Sequence, residues 1–152
     1  MERTEGTGLG EPAALCLRRH YPVTPEKVWR AWTDPQALIR WFGPGEPDSV
    51  TVAEVDLRIG GRYHIVFQTP DGEDHDVSGV YQEVVPHRRL VFSWAWRSTP
   101  ERVSRVTLEF EAKAGGCELL FTHDRFFDRQ ASLNHERGWR PTFDKLATFL
   151  AA

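Results

Sequence analysis

From Asp48 to Asp124 apolar and polar residues alternate with a period of two, and from Asp128 onward the period changes to 3.6. In the cleanest stretch Val106, Leu108, Phe110 and Ala112 fall on one side and Thr107, Glu109, Glu111 and Lys113 on the other. The same alternation places Tyr63, Ile65 and Phe67 on one face, and likewise Val77, Gly79 and Tyr81. It recurs in Leu90, Phe92, Trp94 and Trp96, and in Leu119, Phe121 and His123. Ser49–Leu57 reads as a further strand, with a bend at Gly60-Gly61. Turn chemistry separates the runs at Pro70-Asp71-Gly72, Pro86-His87-Arg88 and Gly115-Gly116. Strands of this kind have one wet and one buried face and form an antiparallel meander. The buried face needs a cover. Only one long segment can supply it: Asp128 to Leu150, with Trp139, Phe143, Leu146 and Leu150 at i, i+4, i+7 and i+11. A helix of that length spans about 30 Å, enough to cross a sheet.

Ahead of the alternating region, Ala14 to Tyr21 reads as a first strand. Thr24-Pro25 and Asp34-Pro35 then repeat one device, a capping side chain followed by a proline at the first helical position. Val28, Ala31 and Trp32 line the first short helix; Leu38, Ile39, Trp41 and Phe42 line the second, which Gly43-Pro44-Gly45 stops. The order strand, two helices, six strands, helix defines an α+β fold. It is an antiparallel sheet of about seven strands curled around a long C-terminal helix. At 152 residues the chain suits a single domain over residues 13–152, after a mobile Gly-rich tail at 1–12. Pro141 inside the last helix removes a hydrogen bond to Arg137, so a kink is expected near 137–141, with Gly138 absorbing it and letting the helix approach the sheet.

Composition removes several function classes. A net charge of -3 gives no field for nucleic acid, and the Arg18-Arg19-His20 and His87-Arg88-Arg89 clusters read as solvated surface. No apolar run reaches the roughly 18 residues of a membrane span, and no signal peptide is present, so a cytoplasmic location is expected. Cys16 and Cys117 lie on opposite strand parities, and neither sits in a nucleophile motif. The six histidines stand singly; Asp74-His75-Asp76 is the densest ligand-type cluster but borders a turn, and neither a metal nor a cofactor is expected. Glu54 and Asp56 share a parity and are assigned to the wet face. His123 continues an inward row and reads first as a hydrogen-bonded strand-end histidine, second as a ligand or proton-transfer group.

At the level of motifs the chain resembles the activator of heat-shock-protein-90 ATPase homologue family, within the START-related (SRPBCC) helix-grip superfamily. The resemblance rests on Pro25-Glu26-Lys27-Val28-Trp29-Arg30-Ala31-Trp32-Thr33-Asp34-Pro35 and on Trp41-Phe42-Gly43-Pro44. It continues through Asp56-Leu57-Arg58-Ile59-Gly60-Gly61-Arg62-Tyr63, Gly79-Val80-Tyr81-Gln82-Glu83-Val84 and Arg89-Leu90-Val91-Phe92-Ser93-Trp94. It ends at His135-Glu136-Arg137-Gly138-Trp139. It implies a cavity between the sheet and the long helix, used across the superfamily for lipids, polyketides and hormones.

Eighteen residues are Phe, Trp or Tyr, against a single Met, and large rings can frame a void as well as fill a core. The expected ligand-binding set is Trp41, Tyr63, Phe67, Tyr81, Phe92, Trp94, Trp96, Phe121, His123, Trp139 and Phe143, with Tyr81 and His123 as polar anchors. The expected partner is a small apolar or aromatic molecule. The alternative is an enzyme of the cyclase or hydratase kind, with His123 as its acid–base group. A chaperone-associated role ranks last, since the family's eukaryotic activators use an additional domain for which this length leaves no room. A homodimer is compatible with each reading.

Overall fold

A computed structural model describes residues 14–152; the expected tail at 1–12 lies outside them. Strand β1 (Leu15–Tyr21) leads into helices α1 (Pro25–Thr33) and α2 (Pro35–Trp41). Six strands follow: β2 (Val50–Val55), β3 (Arg62–Gln68), β4 (Asp74–Val85), β5 (Arg89–Trp96), β6 (Ser104–Lys113) and β7 (Gly116–Asp124). Helix α3 (Arg129–Ala151) closes the chain. The strands form one seven-stranded sheet in the order β1-β7-β6-β5-β4-β3-β2, every pair antiparallel. From β2 onward each strand lies beside its chain neighbour. β1 instead joins the far edge, pairing Leu17 with Phe121 and Tyr21 with Cys117.

The helix starts are local chemistry. Thr24 Oγ1 accepts from Lys27 N at 3.2 Å and Asp34 Oδ1 from Gln36 N at 2.9 Å, with proline at the first helical position in both. Asp128 Oδ1 caps α3 by accepting from Ala131 N at 2.8 Å. Helices this short are marginal alone. They hold because α1 packs on β6, β7 and α3, while α2 packs on β2 and α3. Lys145 of α3 adds a tie, donating to the carbonyls of Gly45 at 2.8 Å and Glu46 at 3.1 Å in the loop after α2. Helix α3 runs unbroken through Pro141, with the Thr142 hydroxyl donating to Gly138 O at 2.8 Å.

The inward rows read from the sequence form the core. Val77, Leu90, Val106, Leu108, Leu119 and Phe121 are fully buried, in one core cluster with Phe143 and Leu146 of α3. Ala112 departs from its expected row: it shares the parity of Phe110 but is exposed, one residue before the end of β6. The second strand is shorter than Ser49–Leu57; its end gives way to a turn in which Gly61 N donates to Arg58 O at 2.8 Å. Cys117 is buried and Cys16 exposed, as their parities require.

Gly79 of β4 lies against the backbone of Ser93 in β5. A Cβ there would collide with the carbonyl oxygen of Ser93, and that oxygen also accepts the Tyr63 hydroxyl at 2.6 Å. The Ser93 hydroxyl accepts Val80 N at 2.8 Å, so neither strand can retreat without losing a bond. Gly79→Ala should lower stability by about 2–3 kcal/mol. Urea unfolding is the check: the midpoint should fall with the slope unchanged.

Candidate functional site

Seen from α3 outward, the helix has two halves with different neighbours. Its C-terminal stripe, Phe143, Leu146 and Leu150, is buried against the sheet and the short helices. Toward the N-terminus the same face presents Ala131, Asn134, His135 and Gly138, which line a cleft of about 410 Å³. Opposite them stand Phe67, His75, Trp94, Trp96 and Ser104 of the sheet, with Phe42, Gly43 and Pro44 after α2 forming the floor. Loop residues Thr99 and Arg102, together with Phe126 and Phe127, complete the rim, and Phe127 is 60% exposed. The aromatic rings are locked edge to face: Trp94 meets Trp96 at 5.4 Å and 84°, and Phe42 meets Trp139 at 5.8 Å and 86°.

Gly138 corrects an expectation. It does not mark a close approach of helix to sheet, since a Cβ built there would meet nothing within 4 Å. Its missing side chain is part of the open volume.

Four of the expected ligand-binding residues line this cleft: Phe67, Trp94, Trp96 and Trp139. Tyr63, Tyr81 and Phe92 instead surround a second void of about 10 Å³, which shares Phe42 and Trp94 with the cleft. That is room for about one water molecule. Trp32 and Trp94 both border it, and their indole N–H groups find no partner among the described residues. Trp41, Phe121, His123 and Phe143 border neither space and are fully buried. Trp41 is a core brace, donating its indole N–H to Ala31 O at 2.9 Å.

His123 sits one layer behind the cleft wall with both nitrogens engaged. The Trp139 indole can only donate, so at 3.1 Å it makes His123 Nδ1 an acceptor. The proton is therefore on Nε2, which donates to Ser104 Oγ at 2.8 Å, and Ser104 passes its own hydrogen to Trp94 O at 3.3 Å. His135 carries the opposite tautomer: Nδ1 donates to Ala131 O at 2.7 Å and Nε2 accepts from the Trp96 indole at 3.0 Å. The two imidazoles lie 5.0 Å apart, one on β7 and one on α3. Burial holds the His123 imidazole well below its ordinary pKa, and nearby His135 adds to this. Burial also lowers His135, against an opposing effect of its bond to the Ala131 carbonyl. Both rings are neutral at pH 7.

The residues that sequence reasoning missed are mainly small and polar. On α3 the cleft-lining positions 131, 134, 135, 138, 139 and 142 keep strict helical spacing. That stripe was readable, but its small and polar members did not register as a lining. The loop contributors Thr69, Thr99, Arg102, Phe126 and Phe127 carry no periodic signal at all. The cluster Asp74-His75-Asp76 does not survive folding, because alternate residues of a strand face opposite ways. Asp76 turns to His64 at 2.9 Å and Asp74 to Gln68 at 2.9 Å. His75 instead lies near Asp71 and Glu73, their ligand-type atoms within 4.8 Å of one another. Two of the three are bonded within the turn: His75 Nε2 donates to Thr69 Oγ1 at 2.9 Å, and Thr69 donates to Asp71 at 2.5 Å. Glu54 and Asp56 are on the wet face, Asp56 paired with Arg58 at 2.9 Å.

The neutral imidazoles have a measurable consequence. Below the ordinary histidine pKa the unfolded chain takes up protons that the folded protein refuses, so stability is lost as the pH falls through that range. Denaturant unfolding between pH 7 and pH 5 should lose up to about 1.4 kcal/mol per pH unit for each such histidine. His135→Gln should make the slope shallower. A wild-type slope unaltered by that substitution would mean that His135 charges freely in the folded state.

Among the described residues no helix is long and apolar enough to cross a membrane. The sequence profile of the activator of Hsp90 ATPase homolog 1-like protein family matches residues 22–151. The human activator of 90 kDa heat shock protein ATPase homolog 1 is 28% identical over 121 residues, covering 77% of this chain but 32% of its own length. The chain thus spans about a third of that curated relative. Two bacterial crystal structures share the architecture over nearly their whole length. One, from Chromobacterium violaceum, is 26% identical with a TM-score of 0.80, covering 91% of this chain and 97% of that one. The other, the AHSA1 protein of Silicibacter pomeroyi, is 30% identical with a TM-score of 0.77, covering 91% and 98%. A meander sheet gripped by one long C-terminal helix and the matched profile lead to one assignment: the chain belongs to the activator of Hsp90 ATPase homolog 1-like family, with the helix-grip fold.

Proposed function

We propose that this protein binds a small apolar or aromatic molecule in the cleft between the N-terminal half of α3 and strands β3 to β5. The observation that carries this reading is the opening of the helix–sheet interface at Gly138. A stripe that is apolar and packed from Phe143 to Leu150 becomes small and polar beside a wall of locked rings. A volume of about 410 Å³ lies within the range of small-molecule sites. Burial of ligand surface would supply about 25 cal/mol per Å² before ordering costs. The wall is rigid before binding, because Trp96 and Trp139 are each held by an imidazole, so little side-chain entropy remains to be lost.

Acid–base catalysis at His123 finds less support. Both its nitrogens are bonded inside the protein, and it borders neither the cleft nor the small second void. Its role in this reading is to hold Ser104 and Trp139 in the wall. ATPase activation, which the human relative's name describes, is a property of a protein of which this chain matches 32%.

Gly138→Leu separates a binding cleft from a packing flaw. The new side chain enters open space and replaces a mid-helix glycine, so stability should hold or rise by about 0.5–1 kcal/mol. Fluorescence titration with the neutral dye phenylnaphthylamine should show affinity falling at least about tenfold relative to wild type. Equal dye affinity in the two proteins, or no binding by wild type, would overturn the reading.

A further inference from the structure

Among the cleft-lining residues Arg102 is the single Arg or Lys and no Asp or Glu is present; the two histidines there, His75 and His135, are hydrogen-bonded through Nε2 to Thr69 and Trp96. Its position is built. Thr99 N donates to Trp96 O at 3.1 Å and Arg102 N to Thr99 O at 3.0 Å, so two successive turns fold the loop after β5 back over the cleft. The guanidinium then lies 3.9 Å from the centre of the Phe127 ring, which rises from the loop between β7 and α3. Stacking holds the guanidinium plane while leaving its edge available, the arrangement that suits paired hydrogen bonds to a planar oxyanion. Nothing in the described residues uses that edge fully. The one carboxylate in reach is Glu101, 4.0 Å from Arg102 Nε and 70% exposed, a separation at which water screens most of the attraction. Asn134 and Thr99 add amide and hydroxyl groups to the cleft lining.

Resting on the binding role proposed above, we infer that the ligand is an organic acid. Its apolar or aromatic body enters the cleft beside Trp94, Trp96 and Trp139, and its carboxylate-type group stays at the rim on Arg102. An anion deep in the cleft would lose its hydration against apolar rings; at the rim it keeps water on one side and a fixed cation on the other. A second Arg or Lys, or a carboxylate, in the lining would blur this polarity, and the lining has neither.

Two dyes with one skeleton test it: anilinonaphthalene sulfonate, which is anionic, and neutral phenylnaphthylamine. Arg102→Gln should weaken the sulfonate dye by roughly fivefold and leave the neutral dye within about twofold of wild type. Arg102→Lys should fall between wild type and Gln, since it keeps the charge but not the planar fork. Raising salt to about 0.5 M should weaken the sulfonate dye in wild type more than in Arg102→Gln. Gly138→Leu should remove both dyes, which places them in the cleft and not on surface arginines. Equal loss of both dyes in Arg102→Gln, or loss of neither, overturns the acid inference and leaves the cleft reading standing. If the neutral dye binds wild type and Gly138→Leu alike, the cleft reading fails and takes this one with it.

Discussion

A buried imidazole, His123, and a half-buried one, His135, lie between α3 and the sheet, and each is tolerable there because it is neutral and receives an indole N–H. An unpaired polar group at this depth would cost several kcal/mol. The pairing is reciprocal: an indole from α3 reaches an imidazole on β7, and an indole from β5 reaches an imidazole on α3. Hydrophobic contact alone is non-directional and would let the helix slide or rotate over the sheet. Two crossed hydrogen bonds of opposite sense tie its register, with Ser104 and the Ala131 carbonyl accepting the remaining protons.

The cleft follows from that register. With Trp139 held against His123, the three apolar residues that follow it on the stripe reach the core, and the residues that precede it face the ends of β3 to β5. Those preceding residues are too small or too polar to fill the space. The rings across from them cannot collapse inward, because they are braced on one another and on the two imidazoles. Close packing of one half of the helix therefore holds the other half open. The result is a rigid, partly aromatic wall meeting a loop-built rim, the former made of regular elements and the latter of turns.

How much of this could be read from the chain differs by element. The caps at Thr24 and Asp34, the strand parities of β5 to β7 and the stripe from Trp139 to Leu150 were all legible, because each depends on spacing within a single element. Membership of the ligand-binding set was less so. Phe67, Trp94, Trp96 and Trp139 border the cleft, whereas Trp41, Phe121, His123 and Phe143 are inward on strand parities or helix stripes of the same kind yet lie wholly in the core. Parity says which face a ring occupies. It does not say whether anything stands opposite.

Which faces are buried, where helices begin and the order of a meander closed by one long helix could all be read from the chain. These follow from local periodicity, capping and turn chemistry, which act over a few residues. Packing in three dimensions set where the interface stays open, because a void belongs to no element: it is what remains between several. It decided that Gly138 borders space and not backbone, and that His123 has no free nitrogen. It also brought Arg102 and Phe127, from loops 25 residues apart in the chain, to 3.9 Å across the rim. The physical reason is the same in each case: packing is a relation between distant segments, and no spacing within one segment encodes it.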